Sequence, residues 1–330
     1  MWPTPGDVHV NRPLTNISVA FVQSQDAFIA TKVFPIIPVQ KQSDAYWSYD
    51  IAPWTLDEMK IRAPGTESEG SGWTINASNT YYCSVWALHH DIPDVVRANA
   101  DEPLDLERDT VIFVTQKALI RREKYWASKF FTTGVWATEY TGIPSGNPGT
   151  GQFLRWDNAN SVPIYDIKTA KRAILERTGF EPNVLVLGRA VADALTEHVT
   201  FVDRVKYGQT PGQPAKVNLD ALAALLEVDR VYVMKAIETT SKLGASTRTS
   251  AFIGGKHALL AYVPPAPGIM TPSAGYTFAW TGHVGAGPDG QRIKRFRMEN
   301  LAADRIEIEM AFDMKVISAD LGAFFNSAVS

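Results

Sequence analysis

The residues with the strongest claim to chemistry are His89, His90 and Asp91, which are adjacent and of metal-ligating type. A metal-dependent hydrolase would draw on such residues together with a distant ligand such as His257 or His283. Adjacent residues on a strand point to opposite faces, so His89 and His90 are badly placed to chelate one ion; a strand end with polar partners is the expected reading. Gly255-Lys256 resembles the end of a phosphate-binding loop. However, position 250 is Ser and position 257 is His, so neither the leading Gly nor the closing Ser/Thr is in place. Gly146, Gly149 and Gly151 lack dinucleotide-binding spacing and follow no expected strand. No Gly-x-Ser-x-Gly nucleophile elbow occurs. Cys83 is the sole cysteine, so no intrachain disulfide can form, and with no identifiable activating base it is expected to pack. No catalytic residue, metal or cofactor is expected.

The elements around these residues point away from catalysis. The chain has 330 residues, 45% apolar and 20% charged, enough for two linked cores. Its net charge of −3 excludes histone-like coating of nucleic acid. The N-terminus has no basic or apolar signal region, so the triplets Asn16-Ile-Ser and Asn76-Ala-Ser read as chance matches to a glycosylation site. No apolar run approaches the ~20 residues of a membrane span.

Residues 1–15 read as an extended arm rich in proline. Ile17, Ala20, Phe21, Phe28 and Ile29 predict one face of a short helix, followed by extended backbone at Phe34–Val39. Residues 44–90 read as a long arm with no core of its own. Ala45–Tyr49 is its outgoing strand, Tyr81–Leu88 its return, and Arg62–Gly72 a Gly/Ser/Glu-rich tip. The arm aromatics Trp47, Tyr49, Trp54, Trp73, Tyr81 and Tyr82 have the chemistry to stack on bases. Asp57, Glu58, Glu67 and Glu69 offset Lys60 and Arg62, which favours a protein interface instead.

A helix over Leu104–Phe131 follows, ~40 Å long at 1.5 Å per residue. Asp105, Glu107 and Asp109 open it, and Arg121, Arg122, Lys124 and Lys129 close it, as the helix dipole favours. Val111, Val114, Ala118 and Tyr125 line its apolar face, with Ile112, Leu119 and Trp126 beside it. Thr132–Pro163 shows little regular pattern and marks a boundary. A compact α/β unit comes next: a helix capped by Asp166 and ended by Gly179, a strand at Asn183–Leu187, a helix at Arg189–His198, Asn218 capping Leu219–Leu226, and strands at Arg230–Met234 and Ala258–Val263. Polar loops leave it at Tyr207–Lys216 and Thr239–Ser250. Last, Ile306, Ile308, Met310, Phe312, Met314 and Val316 alternate with Arg305, Glu307, Glu309, Ala311, Asp313 and Lys315, predicting a half-buried strand whose partner is the long helix.

This order of elements resembles the tailed-bacteriophage major capsid protein, the Hong-Kong-97-like fold. The wording is also similar to one group of phage and prophage coat proteins: Pro13-Leu-Thr-Asn-Ile-Ser18, Phe28-Ile-Ala and Lys32-Val-Phe-Pro35 in the N-arm; Lys41-Gln-Ser-Asp44 and Arg62-Ala-Pro-Gly-Thr-Glu-Ser68 in the extended loop; Asp91-Ile-Pro-Asp94, Arg97-Ala-Asn-Ala100 and Arg121-Arg-Glu-Lys124 around the long helix. The resemblance implies an α+β fold with an N-terminal arm (1–40), an extended loop (41–90), a peripheral domain (91–135 and 277–330) and an inserted α/β axial domain (136–276). It implies a shell of hexamers and pentamers around double-stranded DNA held without sequence-specific binding, assembled in the bacterial host cytoplasm, with portal, scaffolding and decoration proteins as partners and no membrane. Trp47, Tyr49, Trp54, Arg62, Glu67, Glu69, Trp73 and Tyr81 would lie on an adjacent subunit. Ile17, Phe21 and Phe28 would clasp a neighbour, and Tyr207, Gly208, Lys242 and Arg248 would face the axis. Lys60, Asn300 and Glu307 have the residue types of the isopeptide cross-link found in some relatives. Many relatives begin with a helical scaffolding segment that this sequence lacks, which implies a separate scaffold or an already removed leader. An encapsulin-type nanocompartment with the same fold, a metal hydrolase and a phage tail-tube or head-completion protein are the alternatives.

Overall fold

The computed structural model describes residues 22–100, 104–207, 217–268, 270–283 and 287–330. Among them the first strands are β1 (Ile36–Val39), β2 (Ser43–Tyr49), β3 (Ile75–Tyr82), β4 (Ser84–Pro93), β5 (Thr138–Ile143), β6 (Gln152–Leu154) and β7 (Val184–Gly188). They are followed by β8 (Arg230–Met234), β9 (Ile237–Thr239), β10 (Ser250–Phe252), β11 (Ala258–Ala261), β12 (Gly275–Trp280), β13 (Gln291–Met298), β14 (Ala303–Val316) and β15 (Gly322–Asn326).

The alternating segment forms β14, the centre of the first sheet, ordered β1-β12-β14-β13 with β4 also paired to β14. Its residues Ala303–Met310 are hydrogen-bonded on both sides, to β4 and to β13. Ile306, Ile308, Met310, Phe312 and Met314 enter the core beneath the long helix, as the alternation predicts. The strand is not half-buried, however. Glu309, Ala311 and Asp313 on the other face are also buried, because a central strand is covered on both faces as well as both edges.

The long helix runs Leu106–Phe130, and the Asp105 side chain accepts the Arg108 N–H at its start. Its buried stripe is Thr110, Val114, Ala118, Arg122, Trp126 and Phe130, with Glu123 beside it. Ile112, expected near that face, is exposed. Arg122, expected to serve the helix dipole, is inside, and so is Glu123. Phe131 is its C-cap residue, and the Trp136 indole N–H donates to the Phe130 carbonyl at 2.7 Å, capping the last turn.

The second sheet is ordered β6-β5-β15-β11-β7-β8. Thr132–Pro163 thus contains two short strands, β5 and β6, where none was legible. β15 belongs to this sheet, pairing with β5 and β11, so the last strand of the segment expected wholly in the first unit crosses into the second. Residues of β7 alternate between two cores: Val184 and Val186 face the long-helix core, Leu185 and Leu187 a second core under the helices Pro163–Thr178 and Arg189–Glu197. The two units therefore share a buried face. Helix Pro163–Thr178 has Val162 at its N-cap position, without a side-chain capping bond, and Pro163 at its first position; Asp166 lies inside it, and its carboxylate accepts the Trp156 indole N–H at 3.1 Å. Gly179 (φ +76°) ends it in the left-handed region. Asn218 caps Leu219–Leu226 as expected, accepting the Ala221 N–H at 2.7 Å.

Candidate assembly surface: the extended arm and its anchorage

The arm is a two-stranded hairpin, β2 with β3, paired from Ser43↔Tyr82 to Tyr49↔Ile75. The expected return strand 81–88 is divided: Tyr82 ends the arm, and from Ser84 the chain pairs with β14. Cys83 at the break is fully buried beside Tyr81, Tyr276 and Phe278. Burial pushes its thiol up to about 12, consistent with packing and not with reactivity.

Away from this base the arm buries little. Trp47 is 72% exposed, Met59 94% and Ile61 fully exposed, and Ile51, Trp54, Leu56, Trp73 and Ile75 are exposed as well. Two-stranded ribbons are marginal alone. This one keeps a small aromatic cluster midway: the Tyr49 ring lies 5.5 Å from Trp73 and 6.2 Å from Trp54, with Trp54 and Trp73 6.3 Å apart. At the tip Lys60 meets Glu69 at 2.6 Å, and the Arg62 side chain donates to the Thr66 carbonyl. Glu67 is exposed. Exposed apolar side chains are thus concentrated on this one element.

Tyr81 does not share this exposure. It stacks on Phe278 at 4.6 Å and 12° and is buried in the chain's own core, because it lies where the hairpin joins the first sheet. Phe28 is likewise buried at home instead of being presented to a neighbour. Ile17 and Phe21 lie outside the described residues, as do Gly208 and the rest of the 208–216 loop; Tyr207 ends the helix Val199–Tyr207. The expected helix around Phe28 is, in its described part, a single 3-10 turn at Gln25–Ala27.

Glu123 explains the burial of Phe28. Its carboxylate accepts the Ile29 N–H at 3.0 Å and the Ala30 N–H at 2.9 Å, fastening the N-terminal segment to the long helix. Phe34 then packs on Phe130 at 4.5 Å and on Trp126 at 6.0 Å. Burial pushes the Glu123 carboxyl up to about 7, against the lowering effect of the two amides and Lys32. Arg122 reaches the opposite way, donating to the Asp289 carboxylate at 3.2 Å and carbonyl at 3.0 Å. Neither anchor was singled out in the sequence, since the partners lie 93 and 167 residues away.

Lys242 and Arg248 are exposed in the β9–β10 hairpin, which is tied to Gln23 through Ile237 (2.8 and 2.9 Å) and to Lys124 through Glu238. Asn300 is exposed at the β13–β14 turn, and Glu307 lies within β14, 3.7 Å from Lys294. Asp91 is held by Arg305 at 2.6 and 2.8 Å, which lowers its pKa, while the His90 ring faces Phe113. His257 and His283 sit elsewhere, beside Ser327 and Glu309. No three His, Cys, Asp or Glu side chains among the described residues are grouped to hold a metal. No helix among them is long and apolar enough to cross a membrane.

No protein-family model matches the chain. It is 27% identical to the major capsid protein of Pseudomonas phage JBD67 over 97% of both chains. It is 25% identical to the major capsid protein of Burkholderia phage BcepMu over 83% of this chain and 84% of that one. Among solved structures, a phage-related protein from Bordetella bronchiseptica RB50 aligns over 93% of each chain, with TM-score 0.68 and 23% identity. The SrpI encapsulin of Synechococcus elongatus aligns more distantly, with TM-score 0.55 and 12% identity over 96% of this chain and 92% of that one. The chain is a relative of phage major capsid proteins, and its fold is their Hong-Kong-97-like capsid fold.

Proposed function

We propose that this chain is a phage major capsid protein whose mechanism is self-assembly into an icosahedral head shell around double-stranded DNA. One observation carries the reading: a relationship to capsid proteins along nearly the whole chain, with the projecting arm included in the alignment. The arm supplies the physical motive, because its exposed Trp47, Trp54, Met59, Ile61 and Trp73 would gain burial against another copy. Many modest contacts per subunit add up to a stable shell. Arg62, Glu67 and Glu69 at the tip, and Lys242 and Arg248 in the β9–β10 hairpin, are further contact residues. Portal, scaffolding and decoration proteins are the partners, and the host cytoplasm is the place of assembly. Lys60, Asn300 and Glu307 remain candidates for a cross-link between subunits. The more distant fold likeness to an encapsulin supports a second shell reading, with protein cargo in place of DNA.

The test is sedimentation of the purified protein beside a variant lacking residues 62–72. The intact protein should sediment as capsomers or larger particles, and the variant as a folded subunit that assembles poorly. Assembly by the variant equal to that of the intact chain would contradict the role of the arm. The contents of purified particles, DNA or protein, separate the two shell readings.

A further inference from the structure

We propose that the ridge Phe113, Lys117, Arg121, Tyr125 and Lys129 on the long helix is a contact surface for the phosphate backbone of duplex DNA. These residues recur every four positions, which places neighbouring members side by side in an inclined row that turns about 40° around the helix at each step. Rings and cations are interleaved along it. Lys117 Nζ lies 5.4 Å from the centre of the Phe113 ring, and Lys129 Nζ 5.4 Å from that of Tyr125. The Arg121 guanidinium lies 3.9 Å over the Trp86 ring of β4. All three cations are exposed.

What distinguishes the row from the other cations of the long helix and of the first sheet is the lack of counter-charge. Among the described residues no carboxylate lies within 4.0 Å of Lys117, Arg121 or Lys129. The cations on and around the first sheet are compensated: Arg305 by Asp91, Arg297 by Asp94, Arg295 by Glu107 and Asp304, Lys294 by Glu309. In a chain of net charge −3, an uncompensated basic row is a local feature. A cation over a ring is held in position yet keeps N–H groups free for an anion. Along the axis the charges are spaced about 6 and about 12 Å, and around it by about 40° and about 80°, a winding row of charge that a flexible-side-chain contact to a helical polyanion can follow. A protein segment would ask for an apolar anchor pocket. Here the ring faces along the row already carry cations, so the ridge offers charge and not a pocket. The inference rests on the shell reading only in naming the enclosed duplex as the polyanion.

The test uses unassembled full-length protein and a fluorescent 40-base-pair duplex of arbitrary sequence, with anisotropy read between 50 and 200 mM NaCl. Three phosphate contacts give a slope of log K against log salt of about −2.7, or about a 40-fold loss of affinity over that range. The variant K117Q/R121Q/K129Q should lose that share of the slope. K117R/R121K/K129R should keep it, as should a control carrying the same charge change at Arg172, Lys206 and Lys256. An unchanged slope in the first variant overturns the proposal, and so does binding of polyglutamate as tight as that of the duplex. Negative-stain images of the same proteins read shell formation separately, so a failure of the ridge and a failure of the shell reading are distinguishable.

Discussion

Replacing Glu123 by Gln isolates the charge in the joint that fixes the N-terminal segment to the long helix. The carboxylate is fully buried and held by the Ile29 and Ala30 amides, with Lys32 the charged group acting on it from the N-terminal side and Arg122, its helix neighbour, committed to Asp289. Burial raises its pKa from 4.5 to about 7. The folded chain then keeps a proton over a range in which the unfolded chain has released it. The stability contributed is complete below pH 4.5 and is lost as pH rises through about 7. That difference corresponds to about 3 kcal/mol. Gln cannot ionise, so the stability of E123Q relative to the unmodified protein should increase by about 3 kcal/mol between pH 4 and pH 8. Urea unfolding of both proteins across that range measures the difference directly, because other titrating groups cancel. Parallel stability curves would refute the reasoning. They would mean that the two amide hydrogen bonds and Lys32 offset burial and leave the carboxyl titrating as it does in the unfolded chain.

Two further perturbations probe the frame that carries the arm. A Cβ on Gly322 would lie 2.2 Å from the Trp136 ring that caps the long helix, so Gly322→Ala should cost about 1–3 kcal/mol in thermal or urea unfolding; unaltered stability would deny the close approach. Asp304 is held down to about 2 by hydrogen bonds from Arg97 and Arg295, so its contribution is present above pH 3.8 and lost as pH falls through about 2. Asp304→Asn should therefore flatten acid unfolding between pH 4 and 2, and an acid limb identical to the unmodified protein's would exclude the ion pairs as its cause.

Much of the frame was legible because it is written locally. The Asn218 cap, the apolar run Arg230–Met234 and the alternation along β14 each announce an element within a few residues. The arm was legible for the opposite reason: its tip has polar, flexible chemistry and no core pattern. What stayed hidden depends on distant parts of the chain. The full burial of β14 follows from β4 and β13 flanking it, and the division of the return strand at Cys83 follows from competition between β2 and β14 for pairing. Arg122 and Glu123 read as ordinary helix charges, since nothing nearby reveals that Asp289 and the Ile29 and Ala30 amides will receive them. Strands β5 and β6 are short and interrupted by Gly- and Pro-rich turns, so their sheet becomes visible only when β15 pairs beside them. Of the residues read as contact sites, Tyr81 and Phe28 are core residues, Tyr81 because it stands at the hairpin's base and Phe28 because the segment that carries it is fastened to the long helix.

Negative-stain electron microscopy of the purified full-length protein, alone and with a co-expressed scaffold, tests the central claim most directly. The account predicts capsomers and closed icosahedral shells. A strictly monomeric protein at high concentration under both conditions would contradict it.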